Sequence, residues 1–257
     1  MNIHIRSAFV TLVLLLVGCS QEELLERFAS KEDQAVATTY IEKLRARDFE
    51  ALENEIDPSI KPADLRSKLE GMAASIPQGE PTSRKLVGAH SFSTPDSKTL
   101  NTTFEYGFGG RWVLINVALK DQNGKRTIVG LNVNPQTQSL EEQNRFTFAD
   151  KTSKHYAVFA WAIAAALLSL TSLIVCVRTK LPGRKWPWVL FIILGVGKLS
   201  LNWATGEVAV APLSVQLFSA GAAAALYGPW VVSISLPLGA VVFLIYRKVR
   251  LGQQVAS

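Results

Sequence analysis

The sequence predicts an α+β fold for the first half of the chain and an α-helical transmembrane bundle for the second half. Two observations carry this prediction. Apolar residues recur with the period of a helix up to residue 76 and with the period of a strand from about residue 84. Beyond residue 154, long apolar runs contain very few charged residues. We therefore expect a soluble domain at residues 33–138 and a membrane region at residues 155–250.

The charge of the chain is divided unevenly along its length. The 257 residues are 48% hydrophobic and carry a formal net charge of +6. Residues 151–257 contain ten lysines and arginines but one acidic residue, whereas residues 20–150 carry a net charge of −4. A basic chain often binds nucleic acid, but here the positive charge lies in the most apolar part. This distribution argues against nucleic acid as a partner and favours the lipid bilayer.

The first nineteen residues have the features of an export signal. Arg6 precedes an apolar run at residues 8–17, which is too short to cross a bilayer that needs about 20 helical residues. The run ends in Leu-Val-Gly-Cys19, which resembles the lipobox of bacterial lipoproteins. The resemblance implies that residues 1–18 are removed and that Cys19 is lipidated, with residues 19–32 as a tether. An uncleaved signal anchor is the alternative.

Helices are predicted before strands in the soluble domain. Residues 33–48, 49–56 and 65–76 each carry an apolar stripe at helical spacing, and Pro62 and Pro77 bound the third segment. Alternating segments follow, at residues 84–93, 100–108, 111–120 and 125–134. Asn123-Gly124 is the preferred pair for a two-residue hairpin turn. Helices followed by antiparallel strands indicate the α+β class.

Residues 33–138 resemble the NTF2-like (cystatin-like) superfamily in the order and length of these elements. The resemblance implies that the N-terminal helices pack on a curved antiparallel sheet and enclose a pocket. Tyr40, Tyr106 and Trp112 are the residues expected to line such a pocket, and an ordinary core under the sheet is the alternative. The sequence contains no motif that indicates a catalytic residue, a metal site or a cofactor.

The membrane region is predicted to cross the bilayer three times. A juxtamembrane segment at residues 139–154 includes a short helix at 140–146 and leads into apolar helices at 155–177, 186–203 and 229–246. Residues 207–228 are less apolar, and we expect them to be external, interfacial or re-entrant, with a fourth crossing as the alternative.

Orientation follows from the positive charges beside these helices. Lysines and arginines concentrate on the cytoplasmic side of membrane proteins. Seven residues determine the predicted topology: Arg178, Lys180, Arg184, Lys185, Arg247, Lys248 and Arg250. Placing both clusters inside requires an even number of crossings between them. Lys198 lies within the second predicted helix, where it either extends to the interface, pairs with Glu207 or serves transport.

The expected protein is a lipoprotein of the cytoplasmic (inner) membrane with its soluble domain on the periplasmic side. Its partners would be the lipid bilayer and a ligand, a lipid or an envelope protein bound without catalysis. One alternative is a hydrolase or isomerase with Tyr106, Trp112 or His90 in one cavity beside a carboxylate. The other is an accessory subunit of a transporter.

Overall fold

A computed structural model describes residues 25–181 and 183–255. The chain divides into two compact units, with the boundary between Leu140 and Glu141. The predicted signal peptide, residues 1–18, and the predicted lipidation site, Cys19, lie outside the described residues.

Helices form the beginning of the first unit: α1 (Lys31–Arg45), α2 (Phe49–Glu55) and α3 (Leu65–Ala74). The side chain of Ser30 caps α1 by accepting a hydrogen bond from the backbone N–H of Asp33, and Asp48 caps α2 in the same way. Short polar side chains at this position satisfy N–H groups that have no partner within the helix. One turn of 3₁₀-helix, Pro58–Ile60, separates α2 from α3. The three predicted helical segments are confirmed.

An antiparallel meander follows: β1 (Ser83–Ser93), β2 (Ser97–Phe108), β3 (Arg111–Gln122) and β4 (Lys125–Gln136). The strands lie in the sheet in their order along the chain. Asn123 and Gly124 both have a positive φ, 53° and 74°, which is what a two-residue type I′ turn requires. The predicted strands and this hairpin are confirmed, and the α+β class with them.

One face of this sheet packs against the helices. Phe104 and Tyr106 of β2 lie on this face with Ile115 of β3, and all three join one buried cluster with Ile41 of α1 and Leu52 of α2. A strand alternates its side chains between faces, so the odd-numbered residues of β2 and the even-numbered residues of β3 lie on the opposite face. The core of the first unit therefore lies between the helices and one face of the meander.

A one-turn helix, α4 (Leu140–Gln143), lies at the boundary, and the long helix α5 (Ser153–Arg178) follows in the second unit. The 26 residues of α5 span about 39 Å at 1.5 Å per residue. Within the described part of the chain, α5 is the one helix long and apolar enough to cross a membrane. The helix predicted at residues 155–177 is thus confirmed as a helix.

The predicted bundle of further transmembrane helices is wrong. The chain continues as α6 (Trp186–Ile193), β5 (Leu194–Asn202), β6 (Val208–Leu217), β7 (Ala220–Ala224), β8 (Trp230–Leu236) and α7 (Leu238–Val255). The segments predicted as helices at 186–203 and 229–246 each contain a helix joined to a strand. Residues 207–228 form two strands and not a fourth membrane helix.

Close approach of distant segments, together with the pattern of β6, accounts for the strands in these apolar runs. Gly195 lies against the hydroxyl oxygens of Ser219 and Ser235, where a Cβ would clash, so β5 begins at a close backbone approach. β6 alternates valine and leucine with small or polar residues, a pattern typical of a strand. The membrane prediction relied on apolar content and length, which do not distinguish a buried strand from a helix.

α5 packs on two different partners along its length. In its N-terminal half, Ala162 is buried in a cluster with Leu201 and Val232 of the second sheet and with Trp203, which follows β5. The strand order of this sheet is β6-β5-β8-β7. Near its C-terminus, Cys176 is buried with Ile192 of α6 and with Ala240 and Phe243 of α7. The second unit therefore has a sheet at one end of α5 and a helical cluster at the other.

Candidate functional site

The three residues predicted to line a pocket do not come together. Tyr40 and Tyr106 lie in the same packed core, with 8% and 0% of their surfaces exposed. Trp112 lies on the opposite face of the sheet, where its ring packs over Gly107. Tyr106 is paired with Val113 of β3, and Trp112 is the neighbour of Val113 along that strand. Because neighbouring side chains of a strand alternate between faces, Tyr106 and Trp112 lie on opposite faces of the sheet. The prediction of a shared pocket is therefore wrong for Trp112.

The constellation expected of a pocket enzyme is also not assembled. His90 is exposed on β1, where it is paired with Asn101, whereas Tyr106 lies in the core. Among the described residues, no group of three histidines, cysteines, aspartates or glutamates could hold a metal ion. His90 and Tyr106 therefore do not share the one cavity that the hydrolase or isomerase alternative requires.

The Tyr106 hydroxyl lies in an unusual environment for a polar group. It is enclosed and makes no well-aligned hydrogen bond within the described part of the chain. Burial and, to a smaller extent, the Glu42 carboxylate raise the pKa of Tyr106, and the Arg84 guanidinium lowers it; the resulting pKa is about 12. Because each unit of pKa corresponds to 1.36 kcal/mol, ionisation of this tyrosine opposes folding by about 2–3 kcal/mol.

Tyr106 should make the first unit sensitive to alkali. The pKa of Tyr106 is higher in the folded than in the unfolded chain, so the folded state favours the neutral side chain. The stability that this provides is complete below the ordinary tyrosine pKa of 10.0 and is lost as the pH rises to about 12. We expect Tyr106→Phe to remove this loss and to raise the stability at pH 7 by about 1 kcal/mol, because an unsatisfied hydroxyl is removed. When the pH is raised, the absorbance of tyrosinate should increase in several steps, one of them near pH 12. This step should be absent from Tyr106→Phe and present in Tyr40→Phe. An unchanged titration in Tyr106→Phe would contradict this assignment.

A cleft opens in the first unit between α1 and the edge strand β1. Its volume is about 490 Å³. α1 contributes Lys31, Gln34, Ala35 and Thr38 to the walls, and the strands contribute Arg84, Lys85, Leu86 and Phe104; Glu26 lies at the N-terminal end. This opening, named here the α1–β1 cleft, is within the size range of small-molecule sites.

The α1–β1 cleft combines positive charge with an apolar floor. Lys31 and Arg84 contribute two cations, against the one carboxylate of Glu26. The ammonium of Lys31 lies 3.8 Å from the Glu26 carboxylate, but the Lys31 side chain is 84% exposed, so this ion pair contributes little to stability. Phe104 belongs to the core and closes the bottom of the cleft. The cleft therefore offers cations at its rim and an aromatic ring below.

An irregularity in β1 lies beside the cleft. The register between β1 and β2 shifts between Leu86 and Gly88, so Val87 has no partner in the ladder. Such bulges change the direction of neighbouring side chains and are frequent beside binding sites. Before the bulge, Arg84 and Leu86 are paired with Tyr106 and Phe104, whose side chains lie on the face towards the helices. Because β1 is at the edge of the sheet, Arg84 is exposed on this face.

A second charged cluster has a structural role. The guanidinium of Arg126 donates two hydrogen bonds to Asp121, at 2.7 and 2.9 Å, and lies 3.1 Å from the carboxylate of Asp33. Asp121 hydrogen bonding raises the pKa of Arg126, which therefore stays charged. Since Asp33 belongs to α1 and Arg126 to β4, the cluster fixes the first helix to the β3–β4 hairpin. Its charges are satisfied internally.

The predicted topology residues gather at one end of the second unit. Arg178 ends α5, and the ammonium of Lys185 donates to the carbonyl of Val177 at 2.8 Å. Tyr246 stacks on Trp188 at 4.9 Å, and the Arg250 guanidinium lies over the Tyr246 ring. The loop that holds Lys180 and Arg184 and the segment that holds Arg247 and Lys248 therefore lie at this same end.

Sequence reasoning missed the α1–β1 cleft. Lys31 lies in the segment interpreted as a tether, and Arg84 lies in the least regular of the predicted strands. One signal was present in the sequence. Arg84 and Leu86 are two residues apart, so in a strand they share one face, and a cation lies beside an apolar side chain on that face. The opposing residues on α1 could not be identified without the tertiary contact.

Comparison with known proteins identifies no relative of this chain. No protein-family model matches the chain, and no curated protein and no solved structure is significantly similar to it.

Proposed function

We propose that the protein is a membrane-anchored binding module that holds a small amphipathic anion in the α1–β1 cleft without catalysis. The observation that carries this proposal is the lining of the cleft, in which Lys31 and Arg84 stand above Leu86 and Phe104. A ligand with a negatively charged head and an apolar body would satisfy both parts of this lining. A neutral ligand would leave the guanidinium of Arg84 without a partner of opposite charge.

The anchoring part of the proposal rests on the surface of the second unit. Only 22% of the most apolar 18-residue window of α5 is buried within the protein. Its outward side chains include Ile163, Leu167, Leu170 and Ile174, all at least 42% exposed. A continuous apolar surface of this kind marks contact with a membrane or a partner. Its length of about 39 Å suits a bilayer with a hydrocarbon core of about 30 Å.

The ends of the second unit support an orientation. The cationic end around Arg178 and Lys185 would face the cytoplasm, as the bias of lysine and arginine requires. The other end holds aromatic rings around Trp203, including Phe148 and Tyr156, which suit a membrane–water interface. With α5 entering from that side, the first unit would be extracytoplasmic.

The second sheet would lie in the outer half of the bilayer, beside the N-terminal half of α5, where it reaches the interface. β6 and β7 are edge strands, so each has a row of backbone groups without a strand partner. An unsatisfied backbone group costs several kcal/mol in hydrocarbon, whereas water and lipid headgroups satisfy it at the interface. α6, α7 and the C-terminal half of α5 would occupy the cytoplasmic half of the bilayer.

The first unit would be an NTF2-like domain, and the chain would carry lipid at Cys19. Helices before a four-stranded antiparallel meander support an NTF2-like classification of the first unit. The lipobox-like sequence at Cys19 supports a lipoprotein of the cytoplasmic membrane with a periplasmic domain. Lipid at Cys19 and helix α5 would then hold the first unit close to the bilayer from both ends, beside lipid or protein partners of the envelope.

Phenyl phosphate is a suitable probe for the cleft because it joins a phosphate to an aromatic ring. We expect the full chain in zwitterionic nanodiscs to bind it more tightly than benzyl alcohol, measured by ligand-observed NMR. Arg84→Ala and Lys31→Ala should each weaken binding, by about tenfold for Arg84, because a charged hydrogen bond contributes about 1.5–3 kcal/mol.

Lys98→Ala is the matched control, since Lys98 is an exposed cation of the same unit that does not line the cleft. It should bind phenyl phosphate as the wild type does. Equal binding of the anionic and neutral probes, or equal loss in Lys98→Ala and Arg84→Ala, would refute the cleft as an anion site.

A further inference from the structure

The end of the second unit at which α5 finishes carries positive charge that the chain itself does not neutralise. Within the described residues, none of the lysines and arginines at this end forms an ion pair with a carboxylate. They are named here the cationic end: Arg178, Lys180, Arg184, Lys185, Arg247, Lys248 and Arg250.

The acidic residues of the second unit lie elsewhere along the chain. Three precede α5, and the fourth is beside Asn202 in the second sheet: Glu141, Glu142, Asp150 and Glu207. In the described part of the chain Glu207 forms no ion pair with Lys198 either, so that expected alternative is wrong. The charge of the cationic end is therefore available to a ligand of opposite charge.

Three contacts bring the cations of α5, α6 and α7 together. The ammonium of Lys185 donates to a carbonyl in the last turn of α5 at 2.8 Å. Trp188, one turn after Lys185 in α6, stacks on Tyr246 of α7 with 4.9 Å between the ring centroids. The guanidinium of Arg250 lies over the Tyr246 ring at 5.6 Å. Arg247, which directly follows Tyr246, thus belongs to the same layer.

Arg247 differs from the other cations in its surroundings. It follows Phe243 by one turn of α7, and Phe243 is buried against α5 and α6, so Arg247 lies on the inward face of the helix. The side chain is half-buried, and its enclosed Nε has no hydrogen-bond partner within the described residues. Its neighbour Lys248 is exposed. Because an unused donor on a charged group is costly, Arg247 favours an anionic acceptor from outside the chain.

We propose that Arg247 binds the phosphate of one phosphatidylglycerol molecule from the cytoplasmic leaflet. A guanidinium donates two parallel hydrogen bonds to a phosphate, and the half-buried position limits competition from water. Phosphatidylcholine carries a cationic group beside its phosphate, which the cationic end repels, whereas phosphatidylglycerol has a net negative charge. This inference rests on the proposed placement of the cationic end at the cytoplasmic surface.

Quenching of tryptophan fluorescence by brominated lipids tests the proposal. Trp186 directly follows Lys185 and is 59% exposed. The full chain is reconstituted in phosphatidylcholine nanodiscs with either brominated phosphatidylglycerol or brominated phosphatidylcholine, and the difference from Trp186→Phe isolates the signal of Trp186. We expect half-quenching of Trp186 at about tenfold less brominated phosphatidylglycerol, since each cation near the surface contributes about fivefold and the guanidinium hydrogen bonds add to this.

Two neighbouring variants separate a site from diffuse surface charge. Arg247→Gln should remove most of the preference for phosphatidylglycerol. Lys248→Gln removes the same charge from the adjacent exposed residue and should retain the preference. Equal loss in the two variants would show that surface charge alone attracts the lipid, and equal quenching by both lipids in the wild type would show no selection. Either result would overturn the proposal.

Two further measurements exclude other causes of a negative result. Extraction of the same preparations with alkaline carbonate reports membrane placement, so failure of the anchor is distinguished from failure of the lipid site. In a Cys19→Ala background, slow labelling of the buried Cys176 by N-ethylmaleimide shows that Arg247→Gln keeps the helices packed. If labelling is fast, Arg247→Lys decides, because lysine keeps the charge but lacks the guanidinium fork. Its preference should be weaker than that of the wild type, and an unchanged preference would refute the site.

Discussion

Replacing Leu167 and Leu170 together with arginine, in a Cys19→Ala background, should release the chain from the membrane. Both side chains lie near the middle of α5 on its outward surface, 55% and 42% exposed. An arginine at the centre of a transmembrane helix costs about 2.5–3.5 kcal/mol, so two would lower the inserted fraction at least a thousandfold. On a helix that faces water, the same exposed changes would alter stability by less than about 0.5 kcal/mol each.

Extraction with alkaline carbonate measures how much of each variant stays in the membrane fraction, and two variants serve as controls. Cys19→Ala alone should stay in the membrane fraction, because a transmembrane helix anchors without lipid. Val177→Arg in the same background should also stay, since Val177 is exposed beside Arg178 at the cationic end of α5. Retention of the double arginine variant would show that α5 does not lie in hydrocarbon. Loss of Cys19→Ala alone would show that the lipid is the only anchor.

Gly239→Val should separate α7 from α6 and expose the helical cluster of the second unit. A Cβ at Gly239 would overlap the backbone carbonyl of Phe191, so a valine requires the two helices to move apart. Small residues allow such close approach of helices in membranes. We expect a loss of about 3 kcal/mol or more, at the upper end for overpacking, because backbone and not a side chain must shift.

Cys176 reports this separation directly. It is fully buried beside Ile192 and Phe243, and in a Cys19→Ala background it is the only cysteine of the chain. N-ethylmaleimide should label it slowly in the parent protein in mild detergent and at least tenfold faster in Gly239→Val. Ala223→Val, a change on the exposed strand β7, should leave the rate unchanged. Equal rates in all three proteins would show that α6 and α7 do not pack closely at Gly239.

The first unit was predictable where the signals are local. The helical stripes of α1 to α3 and the alternation of β2 to β4 lie within single segments, and Asn123-Gly124 defines its own turn. The error about Trp112 arose from treating aromatic content as a pocket without following the alternation across the hairpin. Had Trp112 been placed opposite Gly107 in the register, its location on the outer face would have followed.

The second unit was predictable only in part because its apolar content is shared by helices and strands. α5 has no charged residue between Lys154 and Arg178, and its length alone indicates a spanning helix. Residues 194–202 continue the apolar run of α6, yet β5 exists because it pairs with β6 on one side and with β8 on the other. Pairing between strands distant in sequence leaves only a weak local signal.

The sequence by itself determined the local elements of the first unit, the apolar helix α5 and the division of charge between the two halves. These properties depend on residues that are neighbours along the chain. Only the tertiary structure decided that Lys31 and Arg84 face one cleft and that the C-terminal apolar runs form a sheet. Each of these features is a contact between distant segments, whose free energy depends on packing that no single segment encodes.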